Sequence, residues 1–114
     1  MIITGIEPSP GPQQSGSQEE AYSVAVQSDG KILTAGTTYS YATTGPYAGD
    51  SFLVIRYRSS GELDSSFGDG GIVRTQFTRW NDDRACCVEL ERTGKVVVGG
   101  TALNSDMAVV RYLP

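Results

Sequence analysis

The chain has 114 residues and no histidine. Within it there is therefore no Ser-His-Asp triad, no histidine general base and no histidine metal ligand. Lysine occurs only at Lys31 and Lys95, and 9 basic residues face 13 acidic ones for a net charge of −4. A phosphate-backbone binder needs clustered Lys and Arg, so no nucleic-acid partner is expected. No stretch approaches the roughly 18 consecutive apolar residues of a membrane span. Met1–Ile6 lacks the basic region and long apolar core of a secretory leader, so the chain reads as soluble, without a signal peptide, and with its compartment unknown. The only cysteines, Cys86 and Cys87, are adjacent. Strand alternation would send them to opposite faces, so they are expected as small unpaired side chains. They are too few for a four-ligand zinc site. A phosphate-binding loop and a dinucleotide fingerprint are also missing. These absences leave no catalytic residue, metal or cofactor to assign.

What is present is turn chemistry and repetition. Fourteen glycines and five prolines favour short strands joined by tight turns. Residues 21–37 (AYSVAVQSDGKILTAGT) recur as residues 85–101 (ACCVELERTGKVVVGGT). Ala21, Val24, Gly30, Lys31, Gly36 and Thr37 return as Ala85, Val88, Gly94, Lys95, Gly100 and Thr101. Both lysines of the chain occupy the same place in the repeat. Residues 51–57 (SFLVIRY) recur as residues 106–112 (DMAVVRY), and a longer loop, Thr38–Asp50, separates the two parts in the first copy.

The periodicity inside each copy is that of a strand. Ser28-Asp29-Gly30-Lys31 predicts a type I′ hairpin turn, and Arg92-Thr93-Gly94-Lys95 is its weaker counterpart. Phe52–Tyr57 and Met107–Tyr112 are apolar on both faces, the pattern of a strand in a sheet covered on both sides. A fourth strand is expected ahead of each copy, at Met1–Ile6 and at Ile72–Phe77. The expected organisation is a first unit over 1–57, a linker over 58–71 and a second unit over 72–114. The linker, RSSGELDSSFGDGG, predicts a turn at Ser59-Ser60-Gly61 and a capped helical turn starting at Asp64.

Repeated four-stranded units with apolar faces on both sides fit an all-β fold of two antiparallel β-propeller-like blades. Two blades alone leave apolar faces in water. Head-to-tail association of identical chains into a closed ring covers them, and a homo-oligomer of three copies is the favoured count. Packing of the two sheets as a small sandwich is the alternative. Edge pairing of Met1–Ile6 with a neighbouring copy's sheet would serve the same end.

These residues resemble the bacterial delta-60 repeat. That pattern runs A-x-x-x-A-x-Q-x-D-G-K-I-x-x-A-G, then F-x-x-x-R-Y, then G-x-L-D-x-x-F-G-x-G-G. It is matched by Ala21, Ala25, Gln27, Asp29, Gly30, Lys31, Ile32, Ala35 and Gly36, by Phe52, Arg56 and Tyr57, and by Gly61, Leu63, Asp64, Phe67, Gly68, Gly70 and Gly71. The second copy departs from it at Glu89, Glu91 and Thr93, and the G-x-L-D-x-x-F-G element occurs once. The resemblance implies a β-propeller-like fold and carries over no catalytic residue.

Residues common to both copies are expected to be structural, because each unit solves the same packing problem. Asp29, Gly30 and Lys31, with Gly94 and Lys95, are turn residues. Arg56-Tyr57 and Arg111-Tyr112 are expected to bond between blades. Asp64 and Phe67 are expected as a cap and an apolar plug. Features peculiar to one unit are the candidates for binding. The loop around Tyr39, Tyr41 and Tyr47, with Trp80, offers flat amphipathic area suited to carbohydrate or protein. A carboxylate-based glycoside hydrolase or lyase using Asp50, Asp82, Asp83 and Asp106 is the remaining alternative.

Overall fold

The computed structural model describes residues 17–40, 49–77, 83–102 and 106–114. The described residues are all-β, with seven strands among them: β1 (Ser17–Val26), β2 (Ile32–Ser40), β3 (Gly49–Tyr57), β4 (Ile72–Thr75), β5 (Arg84–Leu90), β6 (Val96–Ala102) and β7 (Asp106–Tyr112). They form a four-stranded antiparallel sheet, β1-β2-β3-β4, and a three-stranded one, β5-β6-β7. No helix among the described residues is long and apolar enough to cross a membrane.

The second sheet therefore departs from the expected four strands. The strand expected at Ile72–Phe77 exists as β4, but it pairs with β3 of the sheet that precedes it, through Val54 opposite Val73 and Ile55 opposite Ile72. The linker makes this possible by folding back on β3. The Arg56 N–H donates to the Gly71 carbonyl and the Asp64 N–H to the Arg56 carbonyl, both at 2.9 Å. Strand patterning alone does not say which neighbour a short strand joins. The expected strand at Met1–Ile6 lies outside the described residues.

The hairpin turns differ from the expected type. Gly30 N–H donates to the Gln27 carbonyl at 2.9 Å, and the next closure runs from Gln27 N–H to the Lys31 carbonyl at 2.8 Å. This three-residue loop needs a left-handed residue only at Gly30, which has φ of +87°. Gly94, at φ +86°, repeats the arrangement. A turn of this kind tolerates ordinary residues at its two central positions, which explains why Arg92-Thr93 serves as well as Ser28-Asp29.

Each unit also carries a bulge in its first strand, between Ala21 and Ser23 and between Ala85 and Cys87. The bulge brings the first strand's backbone hard against the second. A Cβ on Gly36 would lie 1.8 Å from the Glu20 carbonyl oxygen, and one on Gly100 would lie 2.0 Å from that of Arg84. The repeated glycines are thus a steric requirement of the bulge.

The two sheets stack face to face around one apolar core. Leu33, Ala35, Phe52 and Val54 of the first sheet meet Ala85, Val88, Val96 and Val98 of the second, with Phe67 closing one side. Polar contacts tie the stack as well: Val88 N–H donates to the Ser23 hydroxyl at 3.2 Å, the Thr75 and Tyr112 hydroxyls share a hydrogen bond of 2.6 Å, and Arg84 lies 3.8 Å from the Asp50 carboxylate.

Candidate functional site

The linker builds a buried polar centre around Asp64 and Arg56. Asp64 caps a single turn, its carboxylate accepting from the Ser66 N–H at 3.2 Å and the Ser66 hydroxyl at 2.6 Å. The Phe67 N–H closes that turn on the Asp64 carbonyl at 3.0 Å. Arg56 Nε donates to the same carboxylate at 2.8 Å, and Lys31 Nζ reaches it at 3.2 Å from the hairpin. The Arg56 guanidinium also lies 4.6 Å from the Phe67 ring centre. Hydrogen bonds from Ser66, then the Lys31 and Arg56 charges, hold the Asp64 carboxyl well below the usual carboxylate range against the opposing effect of burial. Lys31 of the turn and Arg56 of the strand, which recur in the second copy, are thus joined here to the linker residues Asp64, Ser66 and Phe67, which do not.

The second unit lacks that anchor among the described residues. Arg111, the repeat counterpart of Arg56, pairs with Glu91 at 3.3 Å, and its side chain is 60% exposed. Tyr112 bonds Thr75 between the sheets, and burial pushes its phenol upward from the usual value.

A second cluster sits near the C-terminal end of β2. Tyr39 is half-buried, its hydroxyl 3.3 Å from Glu20 and 3.4 Å from the Tyr22 hydroxyl. Tyr22 also donates to Glu20, and these two bonds raise its phenol well above the usual value. The Arg84 guanidinium lies 5.4 Å from the Tyr39 ring centre and 3.8 Å from the Asp50 carboxylate. Tyr41, Tyr47, Trp80 and Asp82 lie outside the described residues. Asp83 is buried and accepts the Phe77 N–H at 2.9 Å, while Asp106 is exposed. No group of three or more carboxylate, thiol or imidazole side chains able to hold a metal ion occurs among the described residues.

The cysteines depart from the expected alternation. The bulge places Cys86 and Cys87 side by side with sulfurs 3.2 Å apart, both exposed, as free thiols. Hydrogen bonding to Cys87 and partial burial push the Cys86 thiol up.

The remaining feature is the pair of outer sheet faces. On the second sheet Met107 and Val109 are 88% and 67% exposed. On the first, Ile32, Thr34, Gly36, Leu53 and Tyr57 line an open groove of about 450 Å³. Residue for residue, Met107 and Val109 correspond to the buried Phe52 and Val54, and the groove corresponds to the face of the second sheet on which those residues pack. Sequence reasoning found the apolar faces but not this correspondence. Its signal was the offset between the copies, read together with strand parity.

Residues 27–67 match the family model for a β-propeller domain of unknown function, DUF5122. The match starts at the first hairpin, crosses β3 and ends at Phe67, so it contains the whole Asp64 anchor. With the two antiparallel sheets, it supports a β-propeller-like repeat. No curated protein and no solved structure matched the chain.

Proposed function

We propose that the chain is a non-catalytic, delta-60-like propeller module whose role is assembly, with identical copies stacking head to tail into a ring. One observation carries the reading. The buried interface between the two sheets has two different sides, and the repeat counterpart of each side recurs on an outer face of the same chain. An interface of that heterologous kind propagates until rotation closes it. Three copies would supply six blades, within the usual range of about four to eight.

Native mass measured by light scattering and mass spectrometry across the micromolar range tests this reading. The expected species is three times the 12.2 kDa chain. Val109→Lys, at an exposed position, should yield single chains that keep the parent's far-UV circular dichroism and melt lower, because the stacking contribution is lost. A parent protein that stays at single-chain mass throughout refutes the proposal.

A second reading, carbohydrate binding beside Tyr39, is supported by the Tyr22–Tyr39–Glu20 cluster, which couples aromatic faces to polar tips. Intrinsic fluorescence titrated with oligosaccharides should respond and lose the response in Tyr39→Ala. A flat titration of the parent removes this reading.

A further inference from the structure

Within the chain, Phe52 of the first sheet is a knob on a bare floor of the second. The Phe52 ring points at Gly100 so closely that a Cβ there would come within 2.8 Å of the ring tip. Around this floor stand Val96, Val98, Ala108, Val110 and Tyr112, all packed in the core. Glycine is needed at position 100 twice over, for the bulge backbone on one side and for the Phe52 ring on the other.

The first sheet repeats this floor. Gly36, itself buried, is the counterpart of Gly100, and the three atoms nearest to a Cβ on it are backbone atoms of Glu20 and Ala21. The walls are Ile32, Thr34, Leu53, Ile55 and Tyr57, the counterparts of Val96, Val98, Ala108, Val110 and Tyr112. These residues enclose the groove of about 450 Å³. The second sheet, conversely, contains the knob without a floor. Met107 is the counterpart of Phe52, and at 88% exposure it is the most exposed large apolar side chain among the described residues.

We propose that Met107 of one copy seats on Gly36 in the first-sheet groove of the next, as Phe52 seats on Gly100 within the chain. The occupant of the groove is thus a second copy of this chain. The inference rests on the head-to-tail reading and gives that reading an orientation and a register. An unbranched thioether adapts to a groove that was not shaped around an aromatic ring. Val109 would follow Met107 into the interface as Val54 follows Phe52. Glu20, at the groove margin, is already engaged by Tyr22 and Tyr39, which keeps its charge off the floor.

Two variants test the seat. Met107→Asp places a charge in the groove and should lower native mass to that of one chain, with the far-UV circular dichroism of the fold unchanged because the side chain is 88% exposed in the single chain. Thr34→Cys with Met107→Cys, in a Cys86→Ser, Cys87→Ser background, should give a ladder of covalent multimers under mild oxidation that collapses on reduction. The two new thiols lie on opposite outer faces of one folded chain, so the bond must join different copies. Retained assembly in Met107→Asp, or a multimeric cysteine variant that forms no ladder, overturns the seat and leaves head-to-tail stacking standing. Single-chain mass for the parent protein overturns both.

Discussion

Replacing Arg56 by alanine removes a guanidinium that is only 4% exposed and is held at several points. It donates to Asp64 at 2.8 Å and to the Ser66 hydroxyl at 3.2 Å, and it covers the Phe67 ring at 4.6 Å. Truncating one member of a buried, hydrogen-bonded pair costs about 3 kcal/mol at the low end of the usual range, which applies here because Lys31 and Ser66 stay with the Asp64 carboxylate. For a small domain, 1 kcal/mol moves the melting temperature by roughly 4–8 °C, so Arg56→Ala should melt at least about 12 °C below the parent. Arg111→Ala is the internal control. Its partner Glu91 is at 3.3 Å, but the arginine side chain is 60% exposed. An exposed pair contributes about 0.5 kcal/mol, equivalent to roughly 2–4 °C. Arg56→Lys keeps the charge but loses the planar fork and the stacking, and should fall between parent and Arg56→Ala. Thermal melts by circular dichroism, repeated as urea titrations, read all four proteins. Equal shifts for Arg56→Ala and Arg111→Ala, or an Arg56→Ala protein melting with the parent, refute the reasoning.

The Asp64 carboxyl is depressed in the fold relative to its ordinary value of 3.8. The stability it contributes is complete above that value and is lost as pH falls below it, so Asp64→Asn should be less stable at neutral pH and show a flatter acid limb in melts taken downward from pH 5. Tyr112 titrates in the opposite direction: burial raises its phenol above the ordinary 10.0, so the fold loses stability as pH rises beyond that value. Tyr112→Phe should flatten the alkaline limb and lower neutral stability through loss of the Thr75 bond; an unchanged alkaline limb contradicts the assignment. With sulfurs 3.2 Å apart and both exposed, Cys86 and Cys87 should be titrated together by one equivalent of a trivalent arsenical, each arsenic–oxygen bond exchanging for arsenic–sulfur with release of water. Thiol counting before and after addition checks this, and a remaining thiol speaks against the side-by-side geometry.

Much of the architecture is local and was therefore legible. The two hairpins follow from glycines at fixed places between strand-patterned runs, and the offset between copies marked the three strands that the two units share. Asp64 and Phe67 stand out in the sequence as a polar cap three residues before an apolar plug. The turn type was misread because Asp29-Gly30 suits two hairpin geometries, and the backbone bonds across the turn decide between them. The cysteines were misread because alternation assumes an unbroken strand, and the bulge adds a residue exactly where that assumption matters.

By itself, then, the amino-acid order determined the repeated strands, the turns, the all-β class and the apolar character of both sheet faces. These depend on neighbours within a few positions, where backbone sterics and side-chain period dominate. Only the tertiary structure decided that β4 belongs to the preceding sheet, that Arg56 is buried while Arg111 is exposed, and which face of each sheet is already covered. Those outcomes depend on contacts between residues far apart in the chain, where identical local patterns meet different surroundings.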